Sequence, residues 1–145
     1  MRVAVLNGPN LNLLGEREPS LYGTTTLAAL EAEVRATADR LGVEVSWMQT
    51  NHEGELVEAV QGLRGAAEGA VINPAAWTHT SVALRDAFLA VRVPFVEVHL
   101  SNIHAREPFR RRSLLADLAV GVVAGLGPMG YRVALEGLVA HLRAR

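Results

Sequence analysis

The 145 residues hold 14 basic and 15 acidic groups, and half of them are hydrophobic. All 14 basic residues are arginine, and cysteine is absent, which excludes a lysine imine, a pyridoxal anchor, a phosphate-loop lysine, a disulfide, a thiolate nucleophile and a cysteine-ligated metal. The net charge of −1 offers no general attraction to nucleic acid or membranes; the length suits one domain, residues 1–145.

In chain order, Arg2–Leu6 is a short apolar run stopped by NGPN and reads as a buried strand. After a loop, Leu27, Leu30, Val34, Ala38 and Leu41 recur at helical spacing, with N-caps available among Thr24–Thr26 and a C-cap at Gly42. Val43–Met48 is a second strand. Leu56, Val57, Val60 and Leu63 stripe a short helix ending at Gly65. Gly69–Ile72 is a third strand, stopped by Asn73-Pro74, and a helix runs from Ser81 to Val91. Pro94–Leu100 is a fourth strand. The stretch Pro108–Leu118 reads either as a short helix or as an irregular connection. Val120–Ala124 is a fifth strand, and Tyr131, Leu135, Leu138 and Leu142 stripe a last helix.

Strands alternating with helices mean βαβ units, so the fold expected is α/β, a doubly wound five-stranded parallel sheet. Ligands in such sheets sit beyond the carboxyl ends of the strands, where strand order reverses. In the order 2-1-3-4-5, strands one, three and four are neighbours there. Their ends carry the polar residues: Asn12, Arg17 and Tyr22 after strand one, Asn73 and His79 after strand three, and EVHLSNIHAR on strand four. The period of two places Glu97, His99 and Ser101 on one face of strand four, although a central parallel strand is usually apolar on both. An acid/base histidine oriented by Glu97 is one reading and a satisfied buried pair the other; the place at the ligand end favours the first. Arg17 and Tyr22 lie in a long loop, where a guanidinium would favour the phenolate. That loop alone leaves a functional site and a solvated surface both open.

Other signals carry less. Gly125, Gly127 and Gly130 fit G-x-G-x-x-G, but only 15 residues follow Gly130, so the motif reads as a tight turn with close helix packing rather than a dinucleotide site. The five histidines make no recognised ligand spacing, and no metal is expected. Arg110–Arg112 reads as a solvated face, or as one arginine reaching an anionic substrate. Asp86 reads as a surface charge. The first residues are too sparsely apolar for a secretory signal, and Leu118–Tyr131 is too short and glycine-broken for a membrane span. A soluble cytoplasmic protein follows, with neither nucleic acid nor membrane as partner.

Four blocks, NGPNLNLLGEREP with Tyr22-Gly23, NHEGEL, INPAAWTHTSVALRDA and PFVEVHLSNIHAREPFR, resemble the type II 3-dehydroquinate dehydratases in order and register over nearly the whole chain. Departures are small: Pro108 stands where an acidic residue is common, and Trp77 and Thr50 fall at variable positions. The resemblance implies a single flavodoxin-like catalytic domain, a hydro-lyase of the shikimate pathway of aromatic amino acid biosynthesis or of quinate breakdown, two roles that the sequence does not separate. It implies loss of water from 3-dehydroquinate by anti elimination through an enolate, without a cofactor. Carried over by position, Tyr22 is the base, with Arg17 lowering its pKa on a closing lid, and His99 is the acid held by Glu97. Asn12 helps hold a water at the enolate oxygen. Asn73, His79 and Arg110 bind ring hydroxyls, and the amides near Leu100 and Ser101 bind the carboxylate. Asp86 reaches a neighbouring subunit's site in a dodecamer of trimers. The competing reading is a non-catalytic flavodoxin-like small-molecule binding module. A receiver domain of that kind wants an acidic cluster after strand one and a lysine near its end, and a flavin carrier a hydroxyl-rich phosphate loop.

The missing lysine separates two chemistries for this dehydration, because the type I enzymes proceed through a lysine imine. Borohydride added with 3-dehydroquinate is expected to leave the protein's mass and activity unchanged. A reduced adduct on the chain, found by mass spectrometry, would contradict the enolate route.

Overall fold

In the computed structural model the five strands are β1 (Arg2–Asn7), β2 (Glu44–Gln49), β3 (Gly69–Asn73), β4 (Phe95–His99) and β5 (Gly121–Ala124), all parallel, in the order β2-β1-β3-β4-β5. The helices are α1 (Pro19–Tyr22), α2 (Leu27–Leu41), α3 (Glu53–Gln61), α4 (Val82–Val91) and α5 (Met129–Arg143). The structure describes the backbone of residues 1–145 and every side chain except that of Tyr22.

The period of two sorts the central strands into two cores. Val3, Val5, Val71, Val96 and Val98 pack on one face with Leu30 and Val34 of α2 and Tyr131, Leu135 and Leu138 of α5. Ala4, Leu6, Ala70, Ile72 and Phe95 face the other way, onto Leu56 and Val60 of α3 and Leu84 and Phe88 of α4. Both faces are therefore covered, as continuous apolar strands in a parallel sheet require. Helix boundaries follow local chemistry. The Thr26 side chain accepts from the Ala29 N–H at 3.2 Å to open α2, and Gly42 closes it in the left-handed region at φ 67°. Ser81 opens α4 by accepting from the Leu84 N–H at 2.9 Å.

Several limits differ by a residue or two from those read in the sequence. β1 and β3 each extend onto an asparagine, Asn7 and Asn73, because these two residues pair across the ladder, and ladder bonds are indifferent to side-chain polarity. Val43 belongs to the turn instead of β2, its N–H bonded to the Ala38 carbonyl that ends α2. Over 108–118 the irregular reading holds: a 3₁₀ turn at Pro108–Arg110, then unclassified chain. In the glycine-rich turn after β5, Gly125 and Gly127 have φ of 86° and 59°, and a Cβ on Gly130 would sit 3.3 Å from Val98. That turn is a device for sharp reversal and close packing. Among the described residues, no helix is long and apolar enough to cross a membrane.

Candidate active site

The strand order reverses between β1 and β3, and the ends of β1, β3 and β4 open there into a cavity of about 190 Å³. This is small beside typical pockets of about 300–1,000 Å³, and suits a ligand of one ring. Pro9, Asn10, Leu11 and Leu14 line it from the segment after β1, Asn73, Ala75, Ala76 and His79 from the segment after β3, and His99, Leu100, Ser101 and Ile103 from β4 onward. Arg17, Arg106 and Arg110 add three guanidiniums to the lining. Asn10 and Ala75 hold φ of 67° and 51° although neither is glycine, backbone strain of the kind concentrated at functional sites.

His99 is buried, and its Nε2 lies 2.6 Å from Glu97 Oε1. Glu97 is entirely buried, and every further partner comes from another segment. The Thr78 hydroxyl donates to Oε1, and Ser113 Oγ lies 2.8 Å from both carboxylate oxygens. Burial pushes this carboxyl up, but the hydrogen bond and charge of His99, with the Thr78 and Ser113 hydroxyls, outweigh it and hold the group below the ordinary carboxylate range. An ionised carboxylate only accepts, so Nε2 carries a proton toward Glu97 and Nδ1 is left for the cavity.

His79 Nδ1 lies 2.7 Å from the Arg112 carbonyl, which makes Nδ1–H the donor. Partial burial lowers the pKa of His79, helped by the charges of His99 and Arg110 and opposed by that hydrogen bond. At neutral pH the ring is uncharged and Nε2 is an acceptor. Asn73 Nδ2 donates to the Tyr131 hydroxyl at 2.9 Å, and its Oδ1 accepts from the Ala75 N–H at 3.1 Å. The cavity thus offers an oriented imidazole, neutral donors and acceptors, and positive charge. That inventory fits proton transfer on a small polyhydroxy anion.

The family model for class II dehydroquinases matches residues 1–139. The chain belongs to the class II dehydroquinase family. It is 57% identical over 143 residues to a 3-dehydroquinate dehydratase of Parasynechococcus marenigrum (strain WH8102), covering 99% of this chain and 98% of that protein. It is 52% identical to catabolic 3-dehydroquinase 1 of Neosartorya fischeri, covering 99% and 95%. Among solved structures, the type II dehydroquinase of Propionibacterium acnes superposes with a TM-score of 0.91 at 42% identity over 96% of each chain. That of Butyrivibrio crossotus gives 0.93 at 38% identity over 95% and 97%.

Of the residues named from the sequence, Arg17, Asn73, His79, His99, Leu100, Ser101 and Arg110 line the one cavity, with Glu97 behind His99. Two others stand apart. Asn12 is exposed on the 3₁₀ turn Leu11–Leu13, where its Oδ1 accepts from Gln49 Nε2 at 3.5 Å, and Asp86 is exposed on α4. The Tyr22 side chain lies outside those described. Sequence reasoning singles out neither Thr78 nor Ser113, whose sequence neighbours give no hint that they meet Glu97. Arg106 is missed too, although its place in the polar segment after β4 is a usable signal.

Because the native pKa of Glu97 lies below its unfolded value, the group stabilises the fold above the unfolded carboxylate range. That contribution is lost as pH falls through the native pKa. Urea unfolding from about pH 7 to about pH 3 should show wild-type stability falling steeply in acid. Glu97→Gln should be less stable at neutral pH yet fall less steeply. Parallel slopes for the two proteins would show that Glu97 is not held ionised in the fold.

Proposed function

We propose that the protein is a 3-dehydroquinate dehydratase, a hydro-lyase of the shikimate pathway that converts 3-dehydroquinate to 3-dehydroshikimate, with residues 1–145 acting as one catalytic domain. The observation that carries the reading is the His99–Glu97 pair at the rim of a ring-sized cavity lined by three arginines, in a chain 57% identical to a protein of that activity. The same features disfavour a passive binding module, which has no need of a buried carboxylate orienting a histidine.

The reaction removes the proton beside the ketone, leaves an enolate, and then expels the hydroxyl as water to form a conjugated enone. The base in this reading is Tyr22, on the resemblance of its block to the family, with Arg17 favouring its phenolate and closing over the site. His99 is the acid: its Nε2–H donates to the Glu97 carboxylate, and in the imidazolium form the second proton, on Nδ1, faces the cavity and the departing hydroxyl. Asn12 is assigned to the water beside the enolate oxygen. Asn73, His79 and Arg110 hold ring hydroxyls, which agrees with the neutral donor and acceptor atoms found on Asn73 and His79. The amides near Leu100 and Ser101 hold the carboxylate.

The assembly in this reading is a dodecamer of trimers in the cytoplasm, with Asp86 completing a neighbour's site. Support comes from α4 itself: Val82, Asp86 and Leu89 fall at i, i+4 and i+7 on one face, and the two apolar members are 57% and 49% exposed. Such a face suits a subunit contact.

Mixing the protein with 3-dehydroquinate should raise the ultraviolet absorbance of the conjugated enone. His99→Ala should lower kcat at least about a hundredfold, the usual worth of one general acid, and Tyr22→Phe should lose nearly all turnover while still binding ligand. No enone from folded wild-type protein would reject the activity. A normal kcat in His99→Ala would remove it as the acid, and more than about a tenth of the rate in Tyr22→Phe would remove that base.

A further inference from the structure

Four hydrogen bonds run in one direction beneath the cavity. The Ala75 N–H donates to Asn73 Oδ1 at 3.1 Å, and Asn73 Nδ2 donates to the Tyr131 hydroxyl at 2.9 Å. That hydroxyl donates to Asn7 Oδ1 at 2.7 Å, and Asn7 Nδ2 donates to the Met48 carbonyl at 3.0 Å. Both ends are backbone groups whose roles cannot reverse: a peptide N–H only donates and a carbonyl only accepts. Each amide and hydroxyl between them is therefore fixed in orientation. Solvent does not compete, since Tyr131, Asn7 and Asn73 are 1%, 0% and 4% exposed. Burial also raises the Tyr131 phenol far above its ordinary range, so it stays a hydroxyl.

We propose that Tyr131 and Asn7 are positioning residues that lock the Asn73 amide for recognition of a substrate hydroxyl. The inference rests on the dehydratase reading, in which Asn73 binds a ring hydroxyl. An amide has two N–H donors and two lone pairs; Tyr131 takes one donor and Ala75 one lone pair. One donor and one acceptor remain. A hydroxyl can use both at once, whereas a carboxylate or ketone oxygen can only accept. A flip of the amide would set its NH₂ against the Ala75 N–H and reverse the demand on Tyr131, which Asn7 and the Met48 carbonyl do not permit. Tyr131 is not among the residues lining the cavity, so it acts from α5 on the substrate through Asn73.

The test is a double-mutant cycle on the full-length protein with 3-dehydroquinate. Tyr131→Phe should raise KM about tenfold with kcat within about threefold, the signature of lost ground-state binding. In an Asn73→Ala background the same change should move KM by less than about twofold, because the residue through which it acts is gone. A loss of packing alone would be felt equally in both backgrounds. If Tyr131→Phe does not fold, Asn7→Ala breaks the same hydrogen-bond run from its far end without touching the cavity, and must show the same KM rise and the same loss of effect. Unchanged KM in the folded single variant, or an equal rise in both backgrounds, overturns the inference while wild-type turnover keeps the dehydratase reading. Absence of wild-type turnover removes both.

Discussion

The arrangement depends on one buried charge. Glu97 sits on a central strand with no exposed surface, where an unpartnered carboxylate is not tolerated; removing one partner of such a pair typically costs about 3–5 kcal/mol. Its partners come from three parts of the chain: Thr78 after β3, His99 at the end of β4, and Ser113 in the connection to β5. Meeting the needs of that carboxylate therefore draws the walls of the cavity together. The Ser113 hydroxyl also accepts from the Leu115 and Ala116 N–H groups, and the Leu114 N–H donates to the Thr78 carbonyl. A segment with almost no secondary structure of its own is thereby fixed. Arg110 and the Arg112 carbonyl, which sets the tautomer of His79, ride on that segment.

The second polar network works differently. Where Glu97 is held by charge, Asn7, Tyr131 and Asn73 are held by direction, each neutral group oriented by the one before it. The two networks flank the switch point, one beneath β1 and β3 and the other on the far face of β4. Between them they leave the cavity with preset imidazole and amide orientations before any ligand arrives. Reduced reorganisation on binding is the physical benefit of such presetting. Ala75, whose N–H starts the second network, holds left-handed backbone at φ 51°, of order 1–3 kcal/mol for a residue without glycine's freedom.

Much of this was legible from residue order. Apolar runs and helical stripes located every strand and the four long helices, because burial on two faces leaves a strong periodic trace. Glu97 and His99 stood out by breaking that trace on a strand that should be apolar. What could not be read depends on proximity. Thr78 and Ser113 are ordinary loop residues until the fold sets them against one carboxylate. Tyr131 counted as an apolar position in a helix stripe, and so it is by its ring; the hydroxyl meets Asn7 and Asn73 only once α5 packs on the sheet. The short α1, Pro19–Tyr22, left no periodic signal in its 4 residues. The exposure of Asp86 agrees with its reading as a surface charge, since a single chain carries no sign of what a neighbouring copy supplies.

The central claim is that the Glu97 carboxylate holds the proton on Nε2 of His99 and leaves Nδ1 open to the cavity. Nitrogen-15 NMR of imidazole-labelled protein, with His99 assigned by comparison with His99→Ala, reads this directly. The expected result is a neutral ring that carries its proton on Nε2, hydrogen-bonded to Glu97, with Nδ1 bare. A neutral His99 carrying its proton on Nδ1, with Nε2 bare beside Glu97, would contradict it.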